Sequence, residues 1–136
     1  MIKFSFFLCA IIPLVLTACA TSSVVVGKTR PSIKPEDVKI FLHQPAIYED
    51  IALINSNNAG GTPFGEQAKV NTVINRMKNE AAKLGANGLI LQQIGDQNVG
   101  AVGNGITTGG VMFTTTNLRL KTGSAIAIYV PPPEKQ

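Results

Sequence analysis

The chain has 136 residues, a formal net charge of +4 and 15% charged residues, which is enough polypeptide for one small domain with a single core. Neither sign of charge forms a block of the length that marks a nucleic-acid tail, so no nucleic-acid partner is expected. Both cysteines, Cys9 and Cys19, lie near the start and His43 is the only histidine, so the composition excludes a disulfide framework and a multi-histidine metal cluster.

Met1-Ile2-Lys3 gives a short positive start, Phe4 to Leu16 a mostly apolar run interrupted by Pro13, and Thr17-Ala18 the small residues that precede cleavage by a signal peptidase. The run is too short and too broken for a transmembrane helix, which needs about 20 apolar residues. Leu16-Thr17-Ala18-Cys19 resembles the lipobox of bacterial lipoproteins. The resemblance implies that residues 1–18 are a signal peptide and that Cys19 is the lipidated first residue of the mature chain, its thiol carrying diacylglycerol. Each buried acyl methylene contributes about 0.8 kcal/mol, so two or three chains form a durable anchor. Ala20 stands where inner-membrane lipoproteins often carry aspartate, which implies the periplasmic face of the outer membrane.

Residues 19–37 read as the lipidated N-terminus and a tether, within which Val24-Val25-Val26 is either a first strand or part of the tether. Pro31 and Pro35 break any helix there. A small domain is predicted over 38–130. Val38 to Leu42 reads as a strand with Val38, Ile40 and Leu42 on one face, and Asp50 to Ile54 as a strand covered on both faces or placed centrally. Asn55 to Gly61 has the chemistry of a loop.

Thr62 and Pro63 predict a helix start, as N-cap and first helical residue, with Glu66 near the positive end of the dipole. Val70, Val73, Ile74, Met77, Ala81 and Leu84 form an apolar stripe, opposed by Lys69, Asn71, Thr72, Asn75, Lys78, Asn79 and Lys83. The stripe predicts an amphipathic helix of about six turns. Gly85 is the expected left-handed residue that closes it. Gly88 to Ile94 is the next predicted strand, and the short link to it packs helix against sheet.

Gly95 to Gly110 is dense in glycine and reads as a long flexible loop or hairpin tip. Within it Gly100, Gly103, Asn104, Gly105 and Gly109 are the candidate interaction residues, since loops held by a rigid scaffold commonly carry binding. Val111 to Thr116 is β-rich, Lys121-Thr122-Gly123 reads as a turn or bulge, and Ser124 to Val130 as a closing strand that alternates Ala125, Ala127 and Tyr129 against Ile126, Ile128 and Val130. Residues 131–136 form a proline-rich tail. The resulting fold class is α+β, one amphipathic helix on a small, mainly antiparallel sheet with strands before and after it.

Catalytic patterns are poorly served. His43 has no cysteine downstream of Cys19 to act with, and Glu36-Asp37 and Glu49-Asp50 are neighbours in sequence that point to opposite faces of a strand. In Gly60-Gly61-Thr62-Pro63-Phe64-Gly65-Glu66 the spacing imitates a phosphate loop, but Glu66 stands where a lysine is required. Gly103-Asn104-Gly105 precedes no helical pattern, which removes a dinucleotide fingerprint. No cofactor or metal ligand set is expected.

Residues 79–91, Asn-Glu-Ala-Ala-Lys-Leu-Gly-Ala-Asn-Gly-Leu-Ile-Leu, followed by Gly123-Ser124-Ala125-Ile126-Ala127-Ile128, resemble the Rcs outer-membrane stress-sensor lipoprotein and the YbjQ-like small domains. The resemblance spans about residues 45 to 130. It implies a helix, a buried strand, a variable loop and a closing strand, and a non-enzymatic periplasmic module that contacts an envelope protein in sensing or assembly. The YbjQ-like side of it implies an alternative, a small-ligand or metal-binding domain that works as a homo-oligomer.

Overall fold

The computed structural model describes residues 21–60, 65–103 and 115–133. One α-helix packs on one face of a five-stranded sheet of order β1-β3-β5-β4-β2, formed by β1 (Thr21–Val25), β2 (Lys39–Phe41), β3 (Glu49–Asn57), β4 (Gly88–Gly103) and β5 (Thr115–Tyr129). Every pairing is antiparallel except β2 with β4, which is parallel. The fold is α+β, with strands on both sides of the helix in sequence.

The helix α1 (Glu66–Lys83) turns Val73, Met77, Ala81 and Ala82 inward, and the core they enter holds Ile51, Ala52, Ile54, Leu89, Ala125 and Ala127. Ile74 and Leu84 pack at its margin, half-buried. Small residues on the sheet let the helix lie close. A Cβ added at Gly123 would fall 2.7 Å from Val73 Cγ1 and 3.1 Å from Met77 Cε. The alternation along β5 therefore sorts by size: Ala125 and Ala127 face the helix, while Ile128 is buried on the opposite face. There Phe41 covers it, its ring lying where a Cβ on Gly88 would meet both side chains.

The C-terminus of α1 closes as the sequence predicts. Gly85 takes φ 75°, its N–H donates to Ala82 O at 3.1 Å, and Ala86 N–H reaches Ala81 O at 3.0 Å. This is a Schellman closure. The start differs from the expected one: the helix begins at Glu66, preceded by Gly65 at φ 91°, and the expected cap residues Thr62 and Pro63 lie outside the described residues. At 18 residues it makes about five turns.

Other expectations are revised by the strand pairing and burial. The 19–37 stretch is no free tether once past Ala20: Thr21–Val25 pairs with β3, Val26 and Gly27 donate to Ile51 O, and Arg30 N and Ile33 N bond Leu84 O and Ala82 O. The strand expected over Val38–Leu42 forms over Lys39–Phe41, but its apolar face is not buried along its length: Val38 is buried beside a 3-10 turn at Pro35–Asp37, while Ile40, paired with Leu89, and Leu42 are 42% and 72% exposed. In β3 the chain stays extended through Asn57, so Asn55 to Asn57 are strand and not loop. Of the two readings of the apolar run, the central one holds: β3 lies between β1 and β5 but is covered on one face, with Leu53 46% exposed, and Ile51 and Ala52 are both buried because a bulge sets them on the same side. Finally, Gly95 to Gly103 is not a flexible loop but an arm of the antiparallel β4–β5 pair, which agrees with the hairpin alternative, and Lys121 to Gly123 is strand and not turn: Gly95 pairs with Thr122 and Asp96 with Lys121. The irregularities sit instead on β4, between Leu91 and Gln93 and between Asn98 and Ala101.

Candidate functional site

The predicted site residues divide by position. Gly100 and Gly103 lie in the backbone of β4, in a two-stranded ribbon with β5. Asn104, Gly105 and Gly109 lie outside the described residues, as does Cys19, but Thr21, two residues after Cys19, opens β1. Thr21 pairs with Ser56 and Ser56 pairs with Gly123, so the N-terminal end of the domain and the base of the ribbon share one end of the sheet.

That end is tied by polar contacts. Lys121 Nζ lies 2.9 Å from Glu66 Oε2 and 2.7 Å from Asp96 Oδ1, joining the start of α1 to the ribbon base, and Lys69 Nζ sits 3.0 Å from Glu66 Oε1. Hydrogen bonds from Lys121 and then Lys69 hold the Glu66 carboxyl down to about 2. Bonds to Asp96 and then Glu66 push the Lys121 ammonium above its ordinary value. Asn58, buried, clamps the strand at the same level: its N–H donates to Lys121 O at 3.1 Å and its Oδ1 accepts from Lys121 N at 2.8 Å. Arg76 donates to the carbonyls of Asn57 and Ala59, fixing the chain as it leaves β3. On β1, Thr21 and Ser56 hydroxyls are 3.0 Å apart and Ser23 donates to Glu80 at 2.8 Å.

On the face away from the helix, beside this end, Ser22, Asn55, Gln93, Gln97, Thr122 and Ser124 line a shallow polar concavity. Register explains the grouping: Ser22 pairs with Asn55, Asn55 with Ser124, and Ser124 with Gln93. Paired residues in a sheet share a face. Hydroxyls and amides without charge suit hydrogen bonding to a neutral polar group. Reading Asn55 as loop hid this row from the sequence. The sequence carries only short polar runs there, Thr21 to Ser23, Asn55 to Asn57, Gln92-Gln93 and Thr122 to Ser124, in strands that it does not declare to be neighbours.

The other candidates stand apart from this end. His43 is exposed, Glu36 and Asp37 are exposed on the 3-10 turn, and Glu49 is held by Arg30 at 2.6 Å, whose guanidinium also lies 3.8 Å from the centre of the Tyr129 ring. Among the described residues no group of three or more His, Cys, Asp or Glu side chains is placed to hold a metal ion, and no helix is long and apolar enough to cross a membrane.

No family model matches the chain, and no curated protein matches it in sequence. Among solved structures it is similar to the crystal structure of a Francisella virulence factor, FvfA, at 12% identity and a TM-score of 0.45, over 78% of this chain and 96% of that one.

Proposed function

We propose that the chain is a lipoprotein anchored through Cys19 to the periplasmic face of the outer membrane, and that its domain is a non-enzymatic module that contacts another envelope protein in sensing or assembly. The observation that carries the reading is Leu16-Thr17-Ala18-Cys19 behind an apolar leader, followed after Ala20 by the first strand of the domain. The use made of the ionisable groups supports a binding role: Glu66, Asp96, Lys121, Arg30 and Glu49 serve ion pairs that join elements. The resemblance to the Rcs sensor and YbjQ-like domains stays part of this proposal, since it rests on the short apolar motifs around Leu84 to Leu91 and Gly123 to Ile128.

Metabolic labelling with a palmitate analogue tests the anchor. Label should enter the wild-type protein and be lost in Cys19→Ser, and unchanged labelling of that variant would overturn the reading. In-cell crosslinking then identifies the partner. A second reading, recognition of a small polar ligand, is favoured by the concavity around Asn55, Gln93 and Ser124. Titration with cell-wall fragments, read by amide shifts confined to those strands, supports it; shifts absent at saturating ligand reject it.

A further inference from the structure

We propose that the β4–β5 ribbon lies in the interfacial layer of the membrane that holds the anchor, touching lipid directly. The inference rests on lipidation at Cys19 and follows from comparing two lengths measured from one level of the sheet. Thr21, Ser56 and Gly123 stand side by side in β1, β3 and β5. Cys19, two residues before Thr21, can stand no more than about 7 Å from that level. From the same level β5 runs back from Gly123 to Thr115, about 26 Å of strand, in the direction in which β1 runs back to its start at Thr21. β3 ends at Asn57, paired with Thr122, so beyond it, among the described residues, the ribbon consists of β4 and β5 alone and projects from the other strands.

A ribbon longer than the tether cannot hang straight down in water beneath an anchored domain. The polar headgroup layer is only about 5 to 7 Å deep on each side. Either the arms enter that layer or the domain tilts until they lie along it, and with a face of the sheet, not its β1 edge, turned to the membrane both arrangements bring the ribbon onto lipid. The sequence fits this placement, being free of charge from Gln97 to Leu118, with Asp96 and Arg119 as the nearest charged residues. An open two-stranded ribbon leaves unpaired N–H and C=O groups along both edges, and these forbid its passage into the hydrocarbon centre. The headgroup and acyl boundary satisfies both constraints, with water for the edges and apolar surface for side chains such as Val99, which is 45% exposed.

The test uses the full mature protein, its lipid confirmed by mass, in protein-free vesicles of phosphatidylethanolamine and phosphatidylglycerol. An environment-sensitive fluorophore is attached at Val99→Cys or, as a second ribbon position, Asn98→Cys, with Lys83→Cys at the opposite end of α1 as the comparison. The ribbon labels should shift to the blue and be quenched by phospholipids carrying a quencher on the headgroup or upper acyl chain, but not by one carrying it near the acyl terminus; the Lys83→Cys label should remain water-like. A ribbon label as water-like as that at position 83, on lipidated protein bound to the vesicles, overturns the proposal while leaving the anchor intact and turns attention to a protein partner for the ribbon. Quenching from the acyl terminus overturns it in favour of deep insertion. A protein whose mass shows no lipid removes the anchor and the proposal together, by a different readout.

Discussion

Replacing Gly123 by alanine sets two effects of opposite sign against each other, and the packing of α1 decides between them. Alanine restricts the unfolded chain more than glycine does, which alone stabilises by about 0.4 to 1 kcal/mol. In the folded state the added Cβ would lie 2.7 Å from Val73 Cγ1 and 3.1 Å from Met77 Cε. Val73 is fully buried and Met77 nearly so, hence neither has open space to move into, and overpacking of this kind costs about 1 to 3 kcal/mol. The clash is the larger effect. Gly123→Ala should therefore lose about 1 kcal/mol net, seen as a lower urea midpoint with unchanged slope. Val73→Ala alone should also destabilise, by about 2 kcal/mol, through lost burial and a cavity. Combined, the new methyl group occupies the space that Val73 vacates, so the double variant should be more stable than the sum of the single losses predicts by at least about 1 kcal/mol. Costs that add within about 0.5 kcal/mol, or a Gly123→Ala protein more stable than wild type, would refute the close seating of α1 on β5.

Three further outcomes follow from other contacts. The Glu66 carboxyl is held at about 2, so its contribution to stability is present above its unfolded value near 4.5 and is lost as pH falls through the folded value; Lys121, raised above 10.5, contributes below that pH and is lost at higher alkalinity. Carbon-detected NMR titration should find Glu66 still ionised at pH 3.5, and a midpoint in the ordinary glutamate range would show the bond to Lys121 absent in solution. Asn87 binds Val130 twice, Nδ2 to O and Oδ1 from N, each at 2.8 Å, so Asn87→Ala should cost about 1 to 3 kcal/mol in urea unfolding and speed amide exchange at Val130. Gly85→Ala combines a left-handed backbone at φ 75° with a Cβ only 2.5 Å from Arg30 O, so it should cost more than the about 1 kcal/mol of the backbone conformation alone; a smaller loss would mean that the 28–33 segment does not pack on the helix end.

Legibility in the sequence tracked how local each determinant is. The stripe of Val73, Met77 and Ala81 and the glycine at 85 are short-range signals, and the helix and its closure are where those signals put them. The misread segments owe their conformation to partners far along the chain. Asn55 to Asn57 has the composition of a turn, yet it is held between β1 and β5 by Thr21, Ser22 and by Thr122 to Ser124. Lys121-Thr122-Gly123 looks like a turn for reasons that belong to its neighbours: Lys121 answers Glu66 and Asp96, and Gly123 makes room for Val73. Strand preference depends on such surroundings more than helix preference does. Gly100 and Gly103 were suggested as interaction residues by composition alone, whereas the row of Ser22, Asn55, Gln93 and Ser124 becomes visible only once the registers are known.

Turning the 95–103 segment from loop into strand also changes which part of the molecule is free to bind. A flexible loop would sample many partners at low cost in geometry, but a ribbon continuous with β4 and β5 inherits its direction from the sheet, and the Lys121 bridge to Glu66 and Asp96 fixes its base against α1. The face of the sheet away from the helix is divided along its length as well: near the ribbon it carries Ser22, Asn55, Gln93 and Ser124, and at the far end Ile90, Ile128 and Phe41, with Val24 and Leu53 exposed between them at 60% and 46%. The far end is already covered by Phe41, so on the proposed reading of an envelope partner, that protein would gain most by burying Val24 and Leu53 while its backbone or polar side chains bond the neighbouring amides. Such a surface has an apolar centre and a polar flank, the arrangement found in interfaces whose affinity comes from a few buried contacts. Leu53→Asp, on a side chain that the core does not use, should therefore leave the unfolding midpoint close to wild type and abolish in-cell crosslinks made through Asn55; crosslinks retained at full yield would move the partner's surface off this face and onto the ribbon or the exposed side of α1 around Asn71, Asn75 and Asn79.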